Sequence, residues 1–250
     1  MWRGLFLAVG AVLGVAHAAE NLSVAAAANF LPALASLHAE FAKSSPGLQV
    51  TTATGASGSL VAQITHGAPF DVFLSADLDY PRALVAAGHA DAKSLTTFAF
   101  GRLVLWTARP GVEVADVVTT VRSPAVKKLA IANPATAPYG RAARQALEKF
   151  GVWADAQPKL VVGENISQTA QFVETGNADA GFVALSLLLS PPLQDRGRWR
   201  AVPAELHAPL THGVVLTTRG AANPAAVRYL AFLRSAAAKK ILRDFGYDVP

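Results

Sequence analysis

Apolar and polar positions along the chain follow two periods in turn. Short runs of apolar and β-branched residues predict buried strands, and between them apolar residues recur at the three- and four-residue steps of one helix face. Phe30, Leu34, Leu37 and Phe41 follow these steps, and Asn29 stands where a helix N-cap belongs. The predicted strands cover residues 22–28, 48–54, 70–76, 98–108, 128–133, 159–165, 178–185, 198–202 and 211–218.

Helices predicted between these strands indicate an α/β protein with mixed, mainly parallel sheets. They begin near residues 29, 60, 78, 138, 166, 224 and 236. Two lobes are possible if the chain crosses between them through strands. The candidate crossings lie near Phe98–Gly101 and Ala208–His212, which would assign residues 19–99 plus 210–250 to lobe I and residues 100–209 to lobe II.

Residues 1–18 have the layout of a secretory signal peptide. Arg3 precedes the apolar run Gly4–Val15, and Ala16-His17-Ala18 is a small-x-small cleavage pattern. The run is shorter than the roughly 20 residues of a membrane-spanning helix. The chain has no Cys to carry a lipid or form a disulfide. We therefore expect cleavage near Ala18 and a periplasmic location.

Charge and motifs exclude several classes of function. The net charge is +5, and the Lys and Arg residues are scattered, so the sequence shows no clustered basic patch that would bind nucleic acid. A mild positive charge can attract anions from a distance. HExxH, P-loop and GxGxxG motifs are absent from the sequence. We expect no cofactor and no metal site built from side chains.

Four strand-to-helix turns hold the candidate binding chemistry, at residues 25–30, 54–60, 133–140 and 162–168. A helix N-terminus presents unpaired backbone N–H groups and partial positive charge, so it favours anions. In open α/β sheets such turns lie at the edge where ligands bind. The candidate groups are the Asn29 amide, the Ser57 hydroxyl, N–H groups near Ser57, Tyr139 and Ile166, and the small residues Gly55 and Gly58, which allow close backbone approach.

Neutral donors favour one kind of anion. Each hydrogen bond to an ion contributes roughly 1.5–3 kcal/mol, so about five to seven of them can hold a desolvated dianion without a counter-charge. The turns supply no obligatory carboxylate acceptor, which favours an anion without a proton over hydrogen phosphate. Each turn taken singly is also what an ordinary helix cap looks like. An exported α/β protein with an unrelated ligand is therefore one alternative.

A secreted serine hydrolase is an alternative from a different class. The sequence GASGS, residues 55–59, resembles the G-x-S-x-G nucleophile elbow, but Ser59 stands in place of the last glycine. A nucleophilic Ser57 would need a histidine base, and the histidines sit in no recognisable motif. The sequence therefore predicts a binding protein rather than an enzyme.

The chain resembles the periplasmic molybdate-binding proteins of ABC transporters, the ModA family. The resemblance runs through SVAAAANF, TGASGSLVAQITHGAPFDVFLSAD, NPATAPYGRAARQALEKFGVW and GENISQTAQFVETGNADAGFVALS. It implies a type II solute-binding fold, with two α/β lobes joined by two crossing strands. It also implies capture of molybdate or tungstate as a dehydrated tetrahedral dianion and delivery to a membrane permease. The nearest alternative is a sulfate- or other oxyanion-binding protein of the same fold. We expect a monomer, because cleft closure needs free lobes.

Carried over residue by residue, the resemblance implies a ligand site at the four turns. Ser57 matches the family's serine in the second turn, and Tyr139 and Ile166 match backbone donors ahead of the third and fourth helices. Ala28 and Gly58 complete the candidate set with Asn29.

Two positions depart from the family pattern. Asn29 stands where some members have Ser, and Ala184 stands where some members have a Tyr hydroxyl that reaches the anion. Our hypothesis is that the Asn29 amide supplies the missing donor. An Asn29→Leu variant that binds molybdate as tightly as the wild type would disprove it.

Overall fold

The computed structural model describes residues 20–250, and the predicted signal peptide, residues 1–18, lies outside them. This part of the chain contains ten strands and eleven α-helices. The strands are β1 (Asn21–Ala27), β2 (Gln49–Gly55), β3 (Val72–Ser75), β4 (Thr96–Phe100), β5 (Leu103–Thr107), β6 (Leu129–Ala132), β7 (Leu160–Gly163), β8 (Ala180–Ala184), β9 (Arg198–Ala201) and β10 (Thr211–Leu216).

The helices lie between and after these strands, and short 3-10 turns supplement them. They are α1 (Leu31–Ala42), α2 (Ser57–Thr65), α3 (Asp79–Ala86), α4 (Val117–Arg122), α5 (Pro138–Lys149), α6 (Trp153–Ala156), α7 (Ile166–Glu174), α8 (Leu185–Leu188), α9 (Thr218–Ala221), α10 (Pro224–Leu233) and α11 (Ala236–Asp244). Within residues 20–250, no helix has the length and apolar character to cross a bilayer.

The strands form two five-stranded sheets, in the orders β2-β1-β3-β10-β4 and β7-β6-β8-β5-β9. We call the body built on the first sheet lobe I and the body built on the second lobe II. In lobe I, β1 runs parallel to β2 and β3, while β10 runs antiparallel to β3 and β4. In lobe II, β6 runs parallel to β7 and β8, while β5 runs antiparallel to β8 and β9. The sheets are mixed as predicted, although half of these pairs are parallel rather than most.

The chain passes between the sheets twice. The run 98–108, predicted as one strand, is two strands in different sheets, because β4 ends at Phe100 and β5 begins at Leu103. The return lies between β9 and β10. The two connections are tied together, since the Gly101 N–H donates to the Leu210 carbonyl at 2.9 Å. Sequence pattern alone did not separate the two strands, because both are apolar.

Two helix starts differ from the sequence prediction, and both differences shape the site. Asn29 is not the N-cap of α1: it lies in a 3-10 turn, Ala28–Phe30, and α1 begins at Leu31 after Phe30. Helix α2 begins at Ser57 rather than Leu60, which places Ser57 in its first turn.

Candidate functional site

A small cavity lies between the lobes, where four helical segments begin. These segments are the 3-10 turn after β1, α2 after β2, α5 after β6 and α7 after β7. All four follow parallel strands, so their starts gather at the carboxyl edges of the two sheets, where α/β proteins bind ligands. The lining residues carry no charged side chain; they are Ala27, Ala28, Asn29, Gly55, Ala56, Ser57 and Ala76 from lobe I, and Ala137, Pro138, Tyr139 and Ile166 from lobe II.

Ser57 brings two donors to the cavity from lobe I. It is the first residue of α2 and is fully buried, and Ala56 before it provides no side-chain cap. The Ser57 Oγ accepts a hydrogen bond from the Ala76 N–H at 3.1 Å, which fixes its position. Because the first N–H groups of a helix lack intrahelical acceptors, the Ser57 N–H and O–H are both available to a ligand.

The first turn contributes backbone donors in the same way. Ala28 and Asn29 open the 3-10 turn after Ala27, which provides no side-chain cap. The Ala28 carbonyl accepts a hydrogen bond from the Ser167 Oγ of lobe II at 2.9 Å. The backbone here is therefore held across the cleft while its N–H groups lie at the start of a helical segment.

Helix α5 offers its first available N–H at Tyr139. The preceding Ala137 gives no side-chain cap, and Pro138 has no N–H. Tyr139 is 2% exposed, and burial holds the pKa of its hydroxyl well above the usual range, so the side chain is neutral. The hydroxyl lies beside Gly101, in the connection between the lobes, so the backbone N–H is the group that Tyr139 presents to the cavity.

Helix α7 has a side-chain cap that leaves one donor free. The Asn165 Oδ1 accepts hydrogen bonds from the N–H groups of Ser167 at 3.0 Å and Gln168 at 3.1 Å. The Ile166 N–H is left out of this cap, and Ile166 lines the cavity. Sequence reasoning predicted a donor at Ile166, and its role toward a ligand stays a prediction.

The Asn29 side chain is arranged differently from the sequence expectation. Its Nδ2 donates to the Tyr247 Oη at 2.9 Å and lies 3.0 Å from the His212 Nε2, both in lobe I. Its Oδ1 is buried without a hydrogen-bond partner among the described residues. In this arrangement the amide hydrogens are occupied, so the donor that Asn29 offers the cavity is its backbone N–H.

Gly58, predicted to let the backbone approach a ligand closely, uses its N–H across the cleft. Its N–H donates to the Thr136 carbonyl of lobe II at 2.9 Å, so it is not available to an anion. A Cβ at Gly58 would lie 2.5 Å from the Tyr80 Oη and 3.1 Å from the Thr136 carbonyl oxygen. Glycine at this position therefore serves the close approach of the two lobes. Ala184, the position of the second departure, ends β8 and is not among the lining residues.

Sequence reasoning missed a cross-cleft cluster, Asp77, Tyr80 and Arg141, which we call the interlobe latch. Arg141 of α5 forms a salt bridge with Asp77 of lobe I, and its Cζ lies 5.2 Å from the centre of the Tyr80 ring. The Tyr80 Oη donates to the Ala135 carbonyl at 3.1 Å. Burial raises the pKa of Asp77, while the Tyr80 N–H and Arg141 lower it. A single sequence could not pair these residues, since 64 positions separate Arg141 from Asp77.

The site lacks the groups of a serine hydrolase. Within residues 20–250, the Ser57 hydroxyl accepts one hydrogen bond, from a backbone N–H, and no histidine is bonded to it. The same part of the chain contains no group of three or more His, Asp or Glu side chains that could hold a metal ion.

Comparison with known proteins gives a consistent result. Residues 22–248 match the family model described as bacterial extracellular solute-binding protein. The chain is 41% identical over 246 residues to the molybdate-binding protein ModA of Azotobacter vinelandii, covering 98% of this chain and 97% of that protein. It is 41% identical over 242 residues to ModA of Rhodobacter capsulatus, covering 96% and 94%. The solved Azotobacter vinelandii periplasmic molybdate-binding protein superposes with a TM-score of 0.85 at 35% identity, covering 92% of this chain and 99% of that one.

A donor-lined cavity between two α/β lobes is the kind of site that a solute-binding protein uses. The chain belongs to the bacterial extracellular solute-binding proteins and, within them, to the ModA family. The family and the two-lobe fold predicted from the sequence are thereby confirmed. Like these relatives, the chain is a binding protein and not an enzyme.

Proposed function

We propose that the protein captures molybdate, and also tungstate, as a dehydrated tetrahedral dianion in the cavity between its lobes. The observation that carries this proposal is the convergence of four helix starts on a cavity whose lining has no charged side chain. Such a lining offers N–H and O–H donors but no carboxylate, so it suits an anion that has no proton to donate. The names of the two ModA relatives support molybdate as the ligand.

The donors come from both lobes, and this division gives the binding mechanism. Lobe I contributes the Ser57 hydroxyl and N–H and the backbone at Ala28 and Asn29, while lobe II contributes the N–H groups of Tyr139 and Ile166. An anion in an open cleft would meet only one of these sets. Because each hydrogen bond to an ion contributes roughly 1.5–3 kcal/mol, tight binding requires both sets and therefore closure.

Closure is a hinge motion of lobe I, residues 19–99 plus 210–250, against lobe II, residues 100–209. The interlobe latch and the Gly58 N–H bond to Thr136 form only when the lobes meet. The closed protein then presents both lobes together to the membrane permease of an ABC transporter. This role places the protein in the periplasm as a monomer, after cleavage of the signal peptide near Ala18.

The test is calorimetric titration of the purified protein with molybdate, tungstate, sulfate and hydrogen phosphate in turn. Tight 1:1 binding of the first two, with little heat from the others, is the expected result. Selectivity against sulfate would then reside in cavity size, because molybdate and tungstate are larger than sulfate. Preferential binding of sulfate or phosphate would overturn the ligand, and no binding of any of the four would overturn the proposal.

A further inference from the structure

A buried polar group lies directly behind the cavity, on the lobe I side. His212 of β10 is 0% exposed, and its ring contacts the rings of Phe30 and Tyr247 with centroid distances of 4.9 and 5.5 Å. Burial lowers the pKa of His212 to about 3, so the imidazole is neutral at physiological pH. A neutral imidazole has one N–H, on either Nδ1 or Nε2, and the choice sets whether Nε2 donates or accepts.

The neighbouring Asn29 amide is incompletely satisfied. Its Nδ2 meets the Tyr247 Oη and the His212 Nε2, whereas its Oδ1 is buried with no partner among residues 20–250. A buried acceptor without a donor is unfavourable. Asn29 is one of the residues that line the cavity, so this unsatisfied amide belongs to a residue at the place where the anion would lie.

Turning the amide by half a turn about its Cβ–Cγ bond exchanges its two ends without moving other heavy atoms. Both neighbours can adapt to the exchange. The Tyr247 hydroxyl can rotate to donate to Oδ1, because the Asn29 carbonyl that it now serves at 2.8 Å also accepts from the Ser186 Oγ at 2.9 Å. His212 can donate to Oδ1 if its proton is on Nε2 rather than directed at the backbone of Leu210 and Ala99, which the ring also faces. The Asn29 Nδ2 would then need an acceptor, which an anion oxygen supplies.

We propose that His212 is a positioning residue: as its Nε2–H tautomer it donates to the Asn29 Oδ1 and holds the amide with its N–H toward the bound anion. This inference rests on the proposed function, because it requires an oxyanion in the cavity. His212 itself does not touch the ligand. It decides whether Asn29 meets the ligand as a donor, which suits a dianion, or as an acceptor, which suits an anion carrying a proton.

The direct test is the tautomer. Ring ¹⁵N chemical shifts of His212 are measured by NMR with and without molybdate, and the signal is assigned by its loss in a His212→Gln variant. We expect the loaded protein to show Nε2 protonated and Nδ1 unprotonated. A loaded protein with the proton on Nδ1 would overturn the inference, even with molybdate tightly bound.

A double-mutant cycle tests the same coupling by affinity. His212→Phe is expected to weaken molybdate binding roughly 10- to 100-fold, the effect of losing one oriented hydrogen bond to an ion. In an Asn29→Ala background, the same change should alter affinity by about twofold or less. His212→Gln, whose amide can still donate, should recover part of the loss. Equal effects of His212→Phe in both backgrounds would show a merely structural role and overturn the inference.

A matched control is His38→Gln. His38 is a partly buried histidine of α1 whose pKa is also lowered by burial and whose ring lies against Tyr229, outside the cavity lining. Its substitution should leave molybdate affinity unchanged. If the wild-type protein gives no heat with any of the four oxyanions, the proposed function fails, and the inference about His212 fails as well. If the wild type binds molybdate but the His212 tests fail, only the inference is overturned. Preferential binding of hydrogen phosphate would indicate that the Asn29 Oδ1 faces the ligand as an acceptor, and this result would also overturn the inference.

Discussion

The interlobe latch makes a quantitative prediction about ligand release. The Arg141→Gln variant removes the salt bridge to Asp77 and the contact with the Tyr80 ring. Asp77 keeps its bonds from the Ser75 Oγ at 3.0 Å and the Tyr80 N–H at 3.2 Å, so lobe I retains its own structure. The lost interactions exist only across the cleft, so their removal destabilises the closed state and leaves the open state unaffected.

The magnitude follows from burial. The Asp77 side chain is 10% exposed and that of Arg141 is 35% exposed, so the pair lies between a buried and a surface salt bridge. After allowance for solvent screening at Arg141, the pair and the ring contact together contribute about 2 kcal/mol to closure. That amount corresponds to a roughly 30-fold change in the closed-to-open ratio. Because encounter with the open cleft does not use the latch, the change should appear in the dissociation rate.

The assay is release of radiolabelled molybdate into an excess of unlabelled molybdate, followed by rapid filtration. Arg144→Gln is the matched control: Arg144 bonds to Glu148 at 2.8 Å and its Cζ lies 5.2 Å from the Trp153 ring centre, all within lobe II. Arg141→Gln should release ligand roughly 30-fold faster, and Arg144→Gln at the wild-type rate. An unchanged rate in Arg141→Gln, or equal acceleration in both variants, would refute the reasoning.

Three further predictions follow from the site and its surroundings. Ser57→Ala should weaken molybdate binding roughly 10- to 100-fold in calorimetry by removing one donor to an ion, whereas the exposed neighbour substitution Ser59→Ala should not; equal affinities would remove Ser57 from the site. Gly58→Ala sets a Cβ 3.1 Å from the Thr136 carbonyl oxygen of lobe II, so small-angle X-ray scattering should show less compaction on adding molybdate than in the wild type, and full compaction would contradict this. Burial lowers the pKa of His212 from 6.5 to about 3, so between these two pH values the residue binds a proton mainly when the chain is unfolded. Stability should therefore fall as pH drops from 6.5 to 5, by about 1–2 kcal/mol from this residue. Chemical denaturation at the two pH values should show a smaller fall in His212→Gln, and an equal fall would refute the assignment.

The sequence predicted those features that depend on local pattern. The alternation of strand-like and helix-like hydrophobic periods predicted the α/β class. Small or polar residues at the strand ends predicted the four turns, because strands and caps are encoded by neighbouring residues. Contacts between residues far apart in the sequence could not be predicted. The Asn29 amide is bound by His212 and Tyr247, which lie 183 and 218 positions away. Asn29 therefore looked like an N-cap, and Gly58 looked like part of an anion loop, until the second lobe supplied Thr136 as its acceptor.

The alanines that precede three of the four helix starts, Ala27, Ala56 and Ala137, have a further consequence. They leave the first N–H groups of these helices without an internal acceptor, and water can satisfy such groups only while the cleft is open. Closing over an empty cavity would leave each buried donor unsatisfied, at a cost of about 1–3 kcal/mol. The empty carrier therefore disfavours the shape that the loaded carrier adopts. A transporter that responds only to the closed shape would therefore not hydrolyse ATP when it meets the ligand-free protein.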